Sequence, residues 1–371
     1  MRLRDLRWFA ILPAVLIALV ALAACGGDDD DDPTPAPTTP AATATPTTAT
    51  ATVTAATPTA TPRPSGRITV YSGRSESLVG PMIAEFTKAT GIQVDVKYAG
   101  TSALATLLLE EGNASPADVF FAQDGGSLGA VSAMLDPLPE DITTKVVPAF
   151  KARNNTWVGT SARARVIAYS TKLNEADVPN SYAGLTDPKW KGKVGWAPTN
   201  ASFHTFVTLL QKVKGNAAAE QWLRDMVANG VRAYPGNREI VSAIAAGEIE
   251  LGLVNHYYLW GFIKDQGESF PVRNHYTAPG DPATFVNIAG AGVLKTSKNK
   301  PAALEFVRYM LSDAGQKYFS DQTFEYPVVP GLPADPRLKP LTEIRPPDID
   351  LSDLADLKGT LDLLRKVGII Q

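Results

Sequence analysis

Two adjacent tyrosines, Tyr257 and Tyr258, close the run Leu251-Gly252-Leu253-Val254-Asn255-His256. A phenolate is a hard anionic oxygen donor, and its ordinary pKa of about 10 falls beside a cation. A pair of them suits a hard trivalent metal, above all Fe(III). Neighbouring residues of a strand point to opposite faces, so two adjacent phenols converge only where the backbone leaves the strand. The residues after Val254 stand at such an exit. A second group is Thr199-Asn200-Ala201-Ser202, just before an amphipathic stretch. It reads either as an ordinary helix cap or as an anion site made by free N–H groups and the helix dipole. The three histidines, His204, His256 and His275, lack zinc-ligand spacing. His256 either turns toward the tyrosines or makes a structural hydrogen bond. No Gly-x-Ser-x-Gly elbow and no Ser/His/Asp order stands out, so the chain reads as a binder and not as an enzyme.

The elements around these residues alternate. Ile68–Tyr71, Ile92–Val96 and Ala117–Phe121 read as strands separated by helical stretches, which predicts a parallel sheet with right-handed crossovers. Ligands on such sheets gather beyond the carboxyl ends of the strands, here Ser72–Glu76, Tyr98–Ser102 and Ala122–Ser127. Arg163–Tyr169 and Val286–Leu294 read as two strands crossing between lobes. Asn237 is expected to cap a helix over Arg238–Ala246, and Asp353–Lys366 to form a final amphipathic helix. The fold class expected is α/β, two-lobed, with a hinge of two crossing strands and a ligand cleft between the lobes. The expected domains are 66–162 plus 288–335 for lobe 1, and 163–287 plus 336–371 for lobe 2.

The N-terminus addresses the compartment. Arg2, Arg4 and Arg7 precede an apolar run that ends in Leu22-Ala23-Ala24-Cys25, which reads as a lipoprotein signal peptide over 1–24 with Cys25 lipidated. Cys25 is the only cysteine, so the chain has no internal disulfide. Residues 25–65, rich in Thr, Pro and Ala after an acidic run, read as a disordered tether. The expectation is an extracytoplasmic monomer anchored to the membrane by lipid. Net charge is −3 with no basic tract, which argues against nucleic acid as a partner.

Several stretches taken in order then align with a family. Ile68-Thr69-Val70-Tyr71-Ser72-Gly73-Arg74, Pro116–Phe120, Ser161–Val166, Asp187–Lys193, Gly195–Thr199, Asn237-Arg238-Glu239 and Asn255–Tyr258 resemble the ferric-iron-binding solute-binding proteins of ABC transporters. The resemblance implies two lobes, Fe(III) as cargo in the cleft, phosphate or carbonate as companion anion, and delivery to the permease subunits and ATPase of an importer. It implies Tyr257 and Tyr258 as iron phenolates. It also implies Asn200, Ala201, Ser202, Asn237 and Asn255 as anion contacts. The chain departs from the family where many relatives carry His, since Ser75 and then Glu76 follow Arg74. Some relatives carry Glu where Gln123 stands here, followed by Asp124. Glu76 and Asp124 are therefore the carboxylates available to the metal, and Arg74 or Arg163 could pair with the anion. Alternatives are the same fold binding an organic or inorganic anion or a polyamine, a tethered secreted hydrolase, or an adhesion or sensor module.

Overall fold

A computed structural model describes residues 66–371; the expected signal peptide, Cys25 and the tether lie outside the described residues. The chain opens with β1 (Arg67–Ser72), α1 (Glu76–Thr90), β2 (Gln93–Tyr98), α2 (Thr101–Glu111), β3 (Val119–Ala122), α3 (Gly125–Ala130) and a short α4 (Glu140–Thr143). A long β4 (Val158–Ser170) then leads to β5 (Val194–Trp196), α5 (Ala201–Lys214), α6 (Asn216–Ala228), β6 (Arg232–Ala233) and α7 (Asn237–Ala246). Next come β7 (Leu251–Asn255), α8 (Tyr257–Gln266) and β8 (Val272–His275). The chain returns along β9 (Val286–Val293) and finishes with α9 (Lys300–Met310), α10 (Asp313–Thr323) and α11 (Leu357–Val367).

The strand order is β2-β1-β3-β9-β4-β7-β5-β6, with β8 also on β4. The expected parallel sheet is correct for each end and incomplete at the centre. β1 is parallel to β2 and β3, and β5 is parallel to β6 and β7. β9 is antiparallel to β3 and β4, and β4 is antiparallel to β7 and β8. The two antiparallel strands carry the chain out of one half and back, so they run opposite to the strands they join. All thirteen residues of β4 are buried. Residues two apart share a face of a strand, so Arg163 and Arg165 project together. In the ladder Arg163 faces Asn287 of β9, and Arg165 faces Asn255 of β7.

Apolar burial follows the same division. One core joins Ile68, Phe86, Phe120, Trp157, Ile288 and Phe306. Two smaller cores gather Trp196, Phe206 and Leu253, and Val166, Ile240 and Val254. The C-terminal segment, expected wholly with the second lobe, packs on both sides. Leu338, Ile344, Leu351 and Leu354 join the first core, whereas Leu363 and Leu364 join a core of the second half. The final helix is also shorter than expected. Leu351–Leu354 is a separate 3-10 turn, and Asp356 caps α11 through Gly359 N.

Gly73 shows how tightly the loop after β1 is held. A Cβ there would lie 1.7 Å from Thr101 Oγ1 and 2.8 Å from Thr101 Cα. The same hydroxyl accepts from Gln123 N at 3.1 Å. Gly73→Ala should therefore displace the start of α2, costing about 1–3 kcal/mol by overpacking. A thermal melt unchanged from the parent would refute this.

Candidate functional site

β7 ends at Asn255, and α8 starts at Tyr257. The tyrosines thus occupy the strand-to-helix exit, with their rings stacked at 4.3 Å between centroids. Tyr257 is buried, and its hydroxyl has no hydrogen-bond partner among the described residues. Tyr258 is partly buried and lines two adjoining cavities. One, of about 410 Å³, is bounded by Arg74, Ser75, Glu76, Tyr98, Gln123 and Asn200. The other, of about 330 Å³, is bounded by Ser75, Asn237, Glu239, Tyr257 and Phe324. Enclosure, and then the neighbouring Tyr257, push the Tyr258 phenol well above its ordinary pKa, while Arg74 and Arg163 pull it down.

Glu76 is exposed and lines the larger cavity beside Tyr98. Asp124 is not brought to either cavity. It caps α3, accepting from Ser127 N at 2.7 Å and Ser127 Oγ at 3.1 Å, and it also accepts from Thr205 Oγ1 at 2.7 Å. An Asp three residues ahead of a Ser, with two glycines between, carries that capping signal in the sequence. A carboxylate with both oxygens so engaged is a structural group.

The asparagines form one hydrogen-bonded chain. Asn237 Oδ1 accepts from Asn255 N at 3.2 Å, and Asn255 Nδ2 donates to Ser202 Oγ at 3.4 Å. Ser202 Oγ and N both donate to Asn200 Oδ1, at 2.7 and 3.0 Å. Asn200 is therefore the cap of α5, with Ala201 its first helical residue. Asn237 is not the cap of α7: Gly236 takes that place, and the Asn237 side chain turns to β7.

The arginines differ sharply. Arg74 is held by Glu325 through both terminal nitrogens, at 3.0 and 2.5 Å. Burial opposes its charge, but Glu325 outweighs that and raises its pKa. Arg163 is fully buried, and none of its three nitrogens has a hydrogen-bond partner among the described residues. Burial pulls its pKa down, partly offset by Tyr257. Arg165 donates to Ser202 O at 3.2 Å and lies 4.8 Å over the Phe206 ring. Burial and then Arg163 lower it to about 9.

His256 is structural. Its Nδ1 accepts from Ala164 N at 3.2 Å, and Nε2 donates to Phe324 O at 2.9 Å, which requires the neutral ring. Burial drives its pKa to about 4. Above pH about 6.5 neither the folded nor the unfolded ring is charged, so this stability is complete. As pH falls from about 6.5 to 4, only the unfolded ring takes a proton. Stability on the order of 3 kcal/mol is lost in that window. Urea midpoints measured across it should fall more steeply for the parent than for His256→Gln.

Sequence reasoning missed Glu325, Tyr98 and Glu239. Tyr98 ends β2 within a loop region that the strand pattern marks, so its position was legible although its role was not. Glu325 meets Arg74 across 251 positions, and no local pattern signals such a pair.

A family described as bacterial extracellular solute-binding protein matches residues 81–346. The major ferric iron-binding protein of Neisseria meningitidis serogroup B is 35% identical over 310 residues, covering 81% of this chain and 93% of that protein. Iron-bound HitA from Pseudomonas aeruginosa aligns with a TM-score of 0.78 at 37% identity, covering 81% of this chain and 99% of that one. A Trichodesmium protein (IdiA, FutA) in complex with iron and citrate aligns with a TM-score of 0.69 at 30% identity, covering 82% and 100%. These relatives are solute-binding proteins rather than enzymes. With its fold and most of its length shared with them, the chain belongs to the bacterial extracellular solute-binding proteins.

Proposed function

We propose that the protein captures Fe(III) in its cleft through the phenolates of Tyr257 and Tyr258, together with a companion anion, and passes it to the permease of an ABC importer. The observation that carries this reading is the buried Tyr257 hydroxyl without a partner, set within electrostatic reach of the unpartnered Arg163. Unsatisfied buried polar groups are costly, and a bound cation with its anion would satisfy both. Two phenolates and Glu76 neutralise a trivalent ion. Arg163 then still calls for an anion, and Arg165, two residues on along the same face of β4, reaches the Asn200–Ser202–Asn255 chain through Ser202 O. Phosphate or carbonate serves that role, and citrate occupies the complex of the Trichodesmium relative. Glu76 and the Tyr98 phenol are the first-lobe oxygen donors in the larger cavity. The lobes divide near residues 163 and 287, where β4 and β9 cross. Upstream, lipid on Cys25 and the Thr-Pro tether hold the cleft outside the cell membrane. Cys25→Ser should release the protein from the membrane fraction; unchanged partitioning with unchanged mass would remove the anchor from this reading.

Ferric citrate added to the purified domain should develop a visible phenolate-to-iron band. Because the Tyr258 phenol resists ionisation without metal, loading should release protons and reverse on acidification. Glu76→Gln should weaken binding less than either tyrosine change, since Glu76 is exposed to competing water. A colourless protein that still binds phosphate or carbonate tightly would favour the second reading, an anion carrier built on Arg163.

A further inference from the structure

The tyrosine site leaves the buried carboxylate of Glu325 without a role. Glu325 follows α10, is fully buried and lines neither cavity. Besides gripping Arg74 it accepts from Thr323 Oγ1 at 2.9 Å. The residue before it, Phe324, caps α10 with φ of 56°, a left-handed conformation that ordinarily falls to glycine. Its carbonyl is the acceptor for His256 Nε2. Tyr326, the residue after, exchanges two backbone hydrogen bonds with Ala162 of β4, both at 2.8 Å, and its ring stacks on His256 at 4.8 Å.

Four consecutive residues thus hold three separate parts of the molecule. Thr323–Tyr326 grip the hinge strand, the residue that immediately precedes the tyrosine pair, and the arginine that immediately precedes Ser75 and Glu76. Arg74 in turn lies 5.7 Å over the Tyr257 ring. We propose that Thr323–Tyr326 is a bracket that fixes the tyrosine turn against the Arg74 loop, with Phe324 and Glu325 as positioning residues for Tyr257 and Tyr258. This rests on the tyrosines being the metal donors. Two features set the bracket apart from ordinary packing. A buried arginine–carboxylate pair is a poor route to stability compared with an apolar pair of similar shape. Left-handed backbone at a bulky residue persists only where its surroundings over-determine it, and such strain concentrates at functional sites. The physical effect is on geometry and charge together. With Glu325 in place Arg74 is neutralised and fixed. Without it, a free guanidinium stands beside the phenols and repels an arriving trivalent cation.

The test compares iron release, the phenolate-to-iron band and apo thermal stability in Glu325→Gln, His256→Gln, His256→Asn and the parent, all loaded from ferric citrate. Glu325→Gln should release iron at least about ten-fold faster, the scale of groups that orient metal ligands, with a shifted band. The paired change Arg74→Gln/Glu325→Gln buries no lone charge, so it serves if Glu325→Gln does not fold; it should keep the shifted band. His256→Gln, whose amide overlays Nε2 and reaches the Phe324 carbonyl, should retain the parental band. His256→Asn, which is too short, should not. If these variants lose only thermal stability, while iron release and band match the parent, Glu325 and Phe324 are structural and the bracket is overturned. Tyr257→Phe and Tyr258→Phe run alongside. If they lose the band while the bracket variants keep it, the bracket alone fails. If they too leave binding unchanged, the tyrosine reading fails and takes the bracket with it.

Discussion

Changing Tyr257 and Tyr258 together to phenylalanine should abolish the coloured ferric complex and leave the apo fold intact. Each change removes one oxygen and keeps the ring, so the stacked pair at 4.3 Å survives. At Tyr257 the lost hydroxyl is buried and unpartnered, so its removal costs the apo protein nothing in hydrogen bonding. On the proposed reading, the loaded protein loses an anionic ligand. Removing even a group that merely orients a ligand weakens metal binding by about 10–100-fold, so each single change should exceed that and the pair should bind undetectably. Iron titration followed at the phenolate-to-iron band checks this, with calorimetry of the apo form as control. A double variant that keeps parental affinity and spectrum would remove the tyrosines from the site.

Arg163→Met should move stability and binding in opposite directions. The guanidinium is fully buried with three unpartnered nitrogens, and burial and the neighbouring Arg74 oppose its charge. Methionine fills a similar volume without charge, so the apo protein should gain about 1–4 kcal/mol, the range seen when buried charges give way to apolar groups. Iron binding should fall and lose its dependence on added phosphate or carbonate, because the group proposed to answer the anion is gone. Arg74→Met should do the reverse to stability, since it strands Glu325 uncompensated in the core. Paired measurements of melting temperature and anion-dependent affinity separate the two arginines. An apo protein destabilised by Arg163→Met, with its anion response preserved, would assign the anion elsewhere.

The parts legible in the sequence are those set by local pattern. The apolar run before Asn255 placed the tyrosines at a strand exit, and the strand-helix alternation placed Ser72–Glu76 and Tyr98–Ser102 at the cleft. The run from Asn200 to Ser202 was legible as a helix start, and it is one. What stayed hidden depends on distant partners. Asp124 has the composition of a ligand but spends its oxygens on Ser127 and Thr205, and the second of these lies 81 positions away. Arg74 and Arg163 read alike as cations, and only the position of Glu325 separates them. The antiparallel return of β9 was equally invisible, because a buried strand reads the same in either direction.

The C-terminal segment has a consequence for the order of folding. β9 lies between β3 and β4, so the first sheet closes only when residues 286–293 are available. Leu351 and Leu354 complete the same core from still later in the chain. The second half, by contrast, has nearly all its strands between residues 158 and 275. Contacts of such long sequence separation form slowly, because loop closure must precede the gain. A chain emerging from its N-terminus can therefore assemble the half that carries the tyrosine turn early, yet must leave the other half open until residues 286–354 arrive. The joining of that late segment is then the step on which formation of the cleft waits.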